Sequence, residues 1–413
     1  MAVMTNAQLD LIKNEFKTLK ERSPFYAKKF ADIDLSDVQS QEDFEKLPFS
    51  EKNDLREAYP LGIQAVPDED VMRIHSSSGT TGTPVIIPYT AQDVSDWAEM
   101  FARCLKIAGC TNLDRIQITP GYGLWTAGIG FQAGVERLGA MAIPMGPGNT
   151  EKQLKMMQDL KSTVITATSS YALLLAEEIT KRNLRDKICL RKGVIGSERW
   201  GQKTRERIQS EMGIEIYDIY GLTEIYGPGI GISCDEHDGI HMFSDYVYCE
   251  VIDPKTGQVL PDGEEGELVL TTLRKQGAPL IRFRTHDLTS IRPDDCPCGR
   301  NEYPRINMIT GRSDDMVKVK GCNFFPAQVE ECLAFVDGCS SEYQIQIEAI
   351  NDRDVLTLFF ETALTGEDKE RCEKQLAEVF KAKIGCTPNA EGVPMGELPR
   401  STKKTQRVFD SRY

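Results

Sequence analysis

Residues 75–84 read HSSSGTTGTP. From Ser76 to Pro84 the chain carries only serine, threonine, glycine and proline, so no bulky side chain shields its backbone. A loop of this kind lets peptide N–H groups approach a ligand closely, and its hydroxyls add further donors. Both suit the oxygens of a phosphate. Composition alone would make it a solvated loop, and it matches neither familiar nucleotide fingerprint. No G-x-x-x-x-G-K-[ST] occurs, and the glycines of GYGLWTAGIGFQAG (121–134) have the wrong spacing for G-x-G-x-x-G. What surrounds the loop decides which fold presents it.

Downstream, short Ile- and Val-rich runs alternate with amphipathic ones. RIQITP (115–120), AMAIPMG (140–146), STVITAT (162–168), KGVIGSE (192–198) and IEIYDIYG (214–221) read as strands ending in small residues. EKQLKMMQDL (151–160) and QKTRERIQSEM (202–212) read as helices between them. That alternation predicts an α/β fold with a largely parallel sheet and crossover helices. Upstream, Leu9, Ile12, Phe16 and Leu19 share a helical face, and SPFYAKKF (23–30) predicts a turn and a second short helix. From Tyr246 to Leu273 the apolar period becomes two, broken by PKTG and PDGEEG turns, which predicts antiparallel hairpins. After GRSDDM (311–316) comes a block with strand-like YQIQIEA and VLTLFFET and a charged helix, EDKERCEKQLAEVFKAKI (367–384). It is large enough to be a small α+β domain of its own.

With 413 residues, more than one core is expected. A formal charge of −14 opposes nucleic acid or an anionic membrane as main partner, because phosphate binding needs a basic face. No run approaches the length of a membrane span, and the charged, amphipathic start is unlike a signal peptide, so a cytoplasmic protein is expected. Most of the twelve cysteines, among them Cys104, Cys189, Cys332 and Cys372, sit singly in apolar or helical contexts and read as small buried hydrophobes.

The loop SSSGTTGTP resembles the phosphate-binding loop of the adenylate-forming enzymes, the acyl-CoA synthetase superfamily. YGLTE (220–224), RFRTHDL (282–288), GRSDDM (311–316) and LPRSTKKTQRV (398–408) follow in that superfamily's order. More narrowly, GYGLWTAGIG, SSYALLLAE, GSERW, GPGI and GCNFFPAQVE are similar to the phenylacetate–CoA ligase branch, over almost the whole chain from near Tyr26. The resemblance implies a large N-terminal domain, 1–313, with several subdomains, parallel sheets and a β-rich part. A small mobile α+β C-terminal domain, 314–413, would carry a catalytic lysine. It implies ATP, Mg²⁺ and coenzyme A as reactants or cofactors, an aryl carboxylic acid as substrate, and leaves a homodimer open. Two other readings stand beside it: an adenylyltransferase of the same branch that acts on a deazaflavin-type cofactor without CoA, and a silent nucleotide-binding regulator.

Residue by residue, the resemblance implies that Ser77, Ser78, Gly79, Thr80, Thr81 and Gly82 wrap the β- and γ-phosphates. Relatives usually have lysine where this chain has Thr83. Gly196, Ser197 and Glu198 would wall the adenine pocket. In DIYGLTE, Asp218, Ile219, Tyr220 and Gly221 would line the nucleotide, with Tyr220 stacked on adenine. Thr223 would donate to the α-phosphate or the carboxylate, and Glu224 would hold Mg²⁺. Asp287 would accept both ribose hydroxyls, a task suited to a carboxylate, and Arg312 would reach the ribose. Lys404 would bridge acid and α-phosphate, and Asp314 would be the hinge. Tyr122, Gly123, Trp125 and Gly128 would form the acid pocket. Close relatives usually carry phenylalanine at Trp125 and proline at Ser169, which puts phenylacetate itself in question. Cys234, His241, Cys296 and Cys298 make a Cys₃His set suited to a closed, structural Zn²⁺ site, His241 matching a histidine of zinc-bearing relatives and His237 being the alternative.

Overall fold

The structure, a computed structural model, describes residues 4–77, 83–198, 200–350, 353–400 and 406–412. The backbone divides into two compact units. The first comprises Met1–Ala167, Cys189–Ser197 and Ile216–Ile309; the second comprises Thr168–Ile188, Glu198–Glu215 and Thr310–Tyr413.

An eight-stranded sheet organises the first unit. Its spatial order is Met141–Pro144, Arg115–Ile118, Val164–Thr168, Lys192–Gly196, Glu215–Leu222, Gly227–Ile232, Ile240–Met242 and Arg305–Ile306. Arg115–Ile118 runs parallel to both of its neighbours, as right-handed crossover helices require. From Glu215–Leu222 onward the pairing turns antiparallel. Every run expected as a strand from 115 to 221 contains one, and the expected helices are Thr150–Asp159 and Gln202–Met212. The helix Ala91–Ile107 packs on this sheet through fully buried Trp97, Met100 and Phe101. Glycines on the facing elements make room: a Cβ at Gly227 would stand 2.6 Å from the Trp97 ring, and one at Gly134 2.3 Å from Phe101 Cβ.

The β-rich part is a meander of Val247–Ile252, Gly266–Thr272 and Phe283–Thr289, antiparallel throughout. The N-terminal helix Asn6–Arg22 buries Ile12, Phe16 and Leu19, with Leu9 partly buried against the same core, and it buries Gln8 as well. The reason is polar: Gln8 closes a capping box with Thr5, and its amide donates to Ser244 O at 2.9 Å. Arg282, left-handed at φ 47°, is sealed against this part, its guanidinium paired with Glu250 at 2.9 Å and stacked on Phe49.

In the second unit, Tyr343–Ile350 and Arg353–Thr362 pair antiparallel and are flanked by Val408–Asp410 and Asn389–Pro394. Helices Pro326–Ala334 and Gly366–Ile384 cover the core of Ile345, Ile347, Leu358, Phe360, Leu376 and Phe380. Cys104, Cys332 and Cys372 are buried as expected, whereas Cys189 is exposed.

Candidate nucleotide and acid site

The small-residue loop springs from a hairpin of Arg73–Ser76 and Ile86–Tyr89, with Ser76 opposite Ile86. Its neck is tied twice: Ser77 N donates to Val85 O at 3.0 Å, and Val85 N donates to Ser77 Oγ at 2.9 Å. The Ser77 hydroxyl is therefore committed to closing the loop's base. Ser78, Gly79, Thr80, Thr81 and Gly82 lie outside the described residues, as does Lys404. Thr83 is exposed.

The strand Glu215–Leu222 delivers the next set. Asp218 is buried, its backbone exchanging bonds with Ser233 at 2.8 and 2.9 Å. At Tyr220 and Gly221 the register slips by a bulge. A Cβ on Gly221 would come 2.1 Å from Gly227 O, so only glycine lets the two strands close here. The bulge presents Tyr220, whose hydroxyl donates to Asp287 Oδ2 at 2.6 Å. Burial pushes the Tyr220 phenol well up, and the Asp287 carboxylate pushes it further, so it remains a donor. Asp287 is steadied by its own N–H on Thr285 Oγ1 at 3.0 Å, and Thr285 in turn donates to Leu268 O at 2.7 Å. The residues expected at adenine and at ribose thus form one directly bonded pair.

Beyond the bulge the chain turns, with Ile225 N donating to Leu222 O at 3.1 Å, and displays Thr223 and Glu224. Thr223 Oγ1 lies 3.3 Å from Thr126 Oγ1, at the end of the loop expected to form the acid pocket. Glu224 is buried and ion-paired with Lys52 at 3.1 Å. Sequence reasoning missed both Thr126 and Lys52. Lys52 sits in a charged helical turn far upstream, where nothing local distinguishes it from a solvated lysine.

Gly196 ends its strand with no room for a side chain, a Cβ there standing 2.3 Å from Ile219 O, and Ser197 follows at φ 71°. Within the second unit, the Glu198 carboxylate accepts from Ser169 Oγ at 2.9 Å and Ser170 N at 3.0 Å, at the first turn of the helix Ser169–Lys181. A negative charge there meets the N–H groups of the first turn and the positive end of the helix dipole. Ser169 supplies one of these bonds. Also within that unit, Arg312 grips Asp314 through two bonds of 2.9 Å, joining the residue expected at the ribose to the one expected at the hinge.

In the loop expected to form the acid pocket, Trp125 is exposed and lies against Gly121, where a Cβ would be 2.8 Å from its ring. Tyr122 is half-buried, with its hydroxyl buried and without a hydrogen-bond partner among the described residues. Gly123 adopts φ 92° with open space around it. Gly128 has a different reason to be glycine. Its N–H donates to Gly121 O at 2.9 Å, and a Cβ would meet that same oxygen at 2.6 Å.

Cys234, His241, Cys296 and Cys298 converge, their ligand atoms all within 4.8 Å of one another. Antiparallel pairing of Arg305 with His241 brings the two cysteine-bearing turns together. Cys234 Sγ is 3.7 Å from Cys296 Sγ, and Cys298 Sγ is 3.4 Å from His241 Nε2. A tetrahedral zinc with bonds of about 2.3 Å to sulfur and about 2.0 Å to nitrogen sets edges of about 3.8 and about 3.5 Å, so the residues fit that ion. His241 Nδ1 lies 3.3 Å from Tyr303 O, leaving Nε2 as the ligand atom, and burial lowers its pKa, keeping the imidazole neutral. His237 instead packs its ring on Tyr217, at 5.2 Å.

A hairpin carrying the small-residue loop, a bulged strand holding tyrosine against aspartate and a small α+β unit accord with an AMP-forming acid–thiol ligase of the adenylate-forming class, and comparison with known proteins shows that class. The AMP-binding enzyme family model matches residues 11–273, and that of the AMP-binding enzyme C-terminal domain matches 321–412. The phenylacetate–coenzyme A ligase of Escherichia coli (strain K12) is 40% identical over 98% of this chain and 94% of its own length. That of Pseudomonas putida is 39% identical over 98% and 93%. Among solved structures, 2-hydroxyisobutyryl-CoA ligase in the postadenylation state in complex with 2-HIB-AMP superposes with a TM-score of 0.90. It is 28% identical, over 98% of this chain and 89% of that one. The chain belongs to the phenylacetate–CoA ligase family of AMP-binding enzymes. Among the described residues no helix is long and apolar enough to cross a membrane.

Proposed function

We propose that this chain activates an aryl carboxylic acid, phenylacetate or a close aryl relative, in two steps. The acid's carboxylate oxygen attacks the α-phosphorus of ATP; the new O–P bond displaces pyrophosphate and leaves an acyl-adenylate. The thiol of CoA, losing its proton, then attacks the acyl carbon and displaces AMP. The observation that carries this reading is the bond between Asp287, on Phe283–Thr289, and Tyr220, on the strand end that displays Thr223 and Glu224.

The chemical difficulty is repulsion between an anion and a polyanion, so the residues must supply positive charge and fixed donors. Lys404 neutralises both reacting partners, and Thr223 donates to the α-phosphate or the acid. Asp287 takes the ribose hydroxyls with the oxygen capacity that Tyr220 leaves, and Arg312 approaches the ribose. Glu224, with Lys52 beside it, would hold Mg²⁺, which supplies charge neutralisation on the phosphates. The lobe beginning near Asp314, residues 314–413, rotates between the half-reactions, withdrawing Lys404 before the thiol arrives. Trp125 narrows the acid pocket relative to phenylalanine and so selects the aryl group. A reducing cytoplasm suits the twelve cysteines.

A pyrophosphate-release screen over phenylacetate, benzoates, indoleacetate and short fatty acids, with and without CoA, tests this. An arylacetate should give the highest kcat/KM, and AMP release should depend on CoA. Turnover without any need for CoA would favour an adenylyltransferase, and no pyrophosphate release from any acid would overturn the reading.

The Cys₃His cluster holds a structural Zn²⁺ in this proposal, because four protein ligands leave no open position for chemistry. Purified protein should contain about one zinc per chain. Cys298→Ser should lose that metal and lower Tm by several degrees, yet keep near wild-type kcat at low temperature. Wild-type protein that contains no zinc yet keeps its full Tm would discard the site.

A further inference from the structure

Lys275 is buried, and its Nζ has no hydrogen-bond partner among the described residues. None of the roles above uses it. The loop that carries it is held from two sides. Asp93 accepts from Gln276 N at 2.7 Å and from Gly277 N at 2.9 Å, while a Cβ on Gly277 would stand 2.5 Å from Pro88 O. With its backbone pinned this way, the loop turns the lysine side chain inward. The ammonium lies 3.7 Å from the Tyr89 ring centroid and 4.4 Å from that of Tyr226. Tyr89 in turn donates its hydroxyl to Tyr226 O at 2.9 Å.

Such a lysine is costly. Burial lowers its pKa to about 7, with the Asp93 carboxylate opposing the shift. A methionine would fill the same space with no ammonium to desolvate. What only the ammonium provides is attraction to the two ring faces, an interaction that strengthens when water is excluded. Tyr226 receives that attraction through its ring, since its own hydroxyl is buried and has no hydrogen-bond partner among the described residues. Tyr226 also closes the turn that begins at Thr223 and includes Glu224.

We propose that Lys275 is a positioning residue for adenylation: by gripping the Tyr226 ring from beneath, it sets the Thr223–Tyr226 turn and so aims the Thr223 hydroxyl and the Glu224 carboxylate. The inference rests on the ligase reading for what those two groups do. It places a specificity for lysine where packing alone asks only for volume.

Lys275→Met should lower kcat for pyrophosphate release about tenfold and weaken MgATP binding measured by calorimetry. KM for CoA should stay unchanged, and Tm should be equal or higher because a buried charge is gone. Tyr226→Leu should reproduce this split, whereas Tyr226→Phe, which keeps the ring, should not. The double variant Lys275→Met/Tyr226→Leu should be no worse than either single change, the signature of one shared contact. Wild-type kcat and MgATP affinity in Lys275→Met, or a loss confined to Tm, would overturn the proposal. If Lys275→Met does not fold, the Leu and Phe variants of Tyr226 decide the matter from the other side. Wild-type protein run in parallel separates the two readings. A wild type that binds MgATP but releases no pyrophosphate sinks the ligase reading, and calorimetry on the variants still judges Lys275.

Discussion

Lys404→Ala should reduce acid-dependent pyrophosphate release by about 10²–10⁴-fold, while thioester formation from a supplied acyl-adenylate and CoA stays within about twofold of wild type. The asymmetry follows from charge. In the first half-reaction a carboxylate must approach a phosphate that is itself anionic, and a single cation between them acts on the barrier directly. In the second, the uncharged acyl carbonyl of the mixed anhydride is attacked, and its leaving group, AMP, needs no such bridge. Lys403 is adjacent in sequence and carries the same charge, so Lys403→Ala is the control and should cost less than about threefold. The two assays are run on the same preparation. Equal losses in both half-reactions would mean that the lysine serves folding or CoA binding, and an adenylation rate that survives would remove its assigned role.

Glu224→Gln should lower kcat/KM for MgATP by about 10²-fold and raise the Mg²⁺ concentration needed for half-maximal rate. Glutamine keeps the shape of the side chain and offers one neutral oxygen, so a purely structural glutamate would tolerate it. The change also leaves Lys52 facing an amide at the position where its carboxylate partner now lies 3.1 Å away. If Lys52 helps to hold the phosphates, Lys52→Met should weaken MgATP binding, and adding it to Glu224→Gln should cost less than the two separate losses combined. A Mg²⁺ titration that superposes on wild type would place the metal elsewhere.

The order of motifs was legible because each is short and local. A loop stripped of bulk, a strand ending in YGLTE and an aspartate in RTHDL keep their meaning wherever they occur along the chain. The strand and helix runs between 115 and 221 were equally legible, since period and β-branching are properties of neighbours in sequence. One buried residue was not legible locally: Gln8 joins the helix face of Leu9, Ile12, Phe16 and Leu19 because its amide reaches Ser244 O, a partner that periodicity does not reveal.

What the residues alone determined is therefore the class of enzyme, the α/β architecture and the inventory of chemical groups. Tertiary structure decided which of those groups meet. It paired Tyr220 with Asp287 and Glu224 with Lys52, selected His241 over His237 beside the cysteines, and hid Lys275 beneath two aromatic rings. The physical reason is that these contacts depend on the spatial order of strands and on where a bulge or a pinned loop aims a side chain. Adjacent strands in the sheet are often distant in the chain, so no local pattern encodes their meeting.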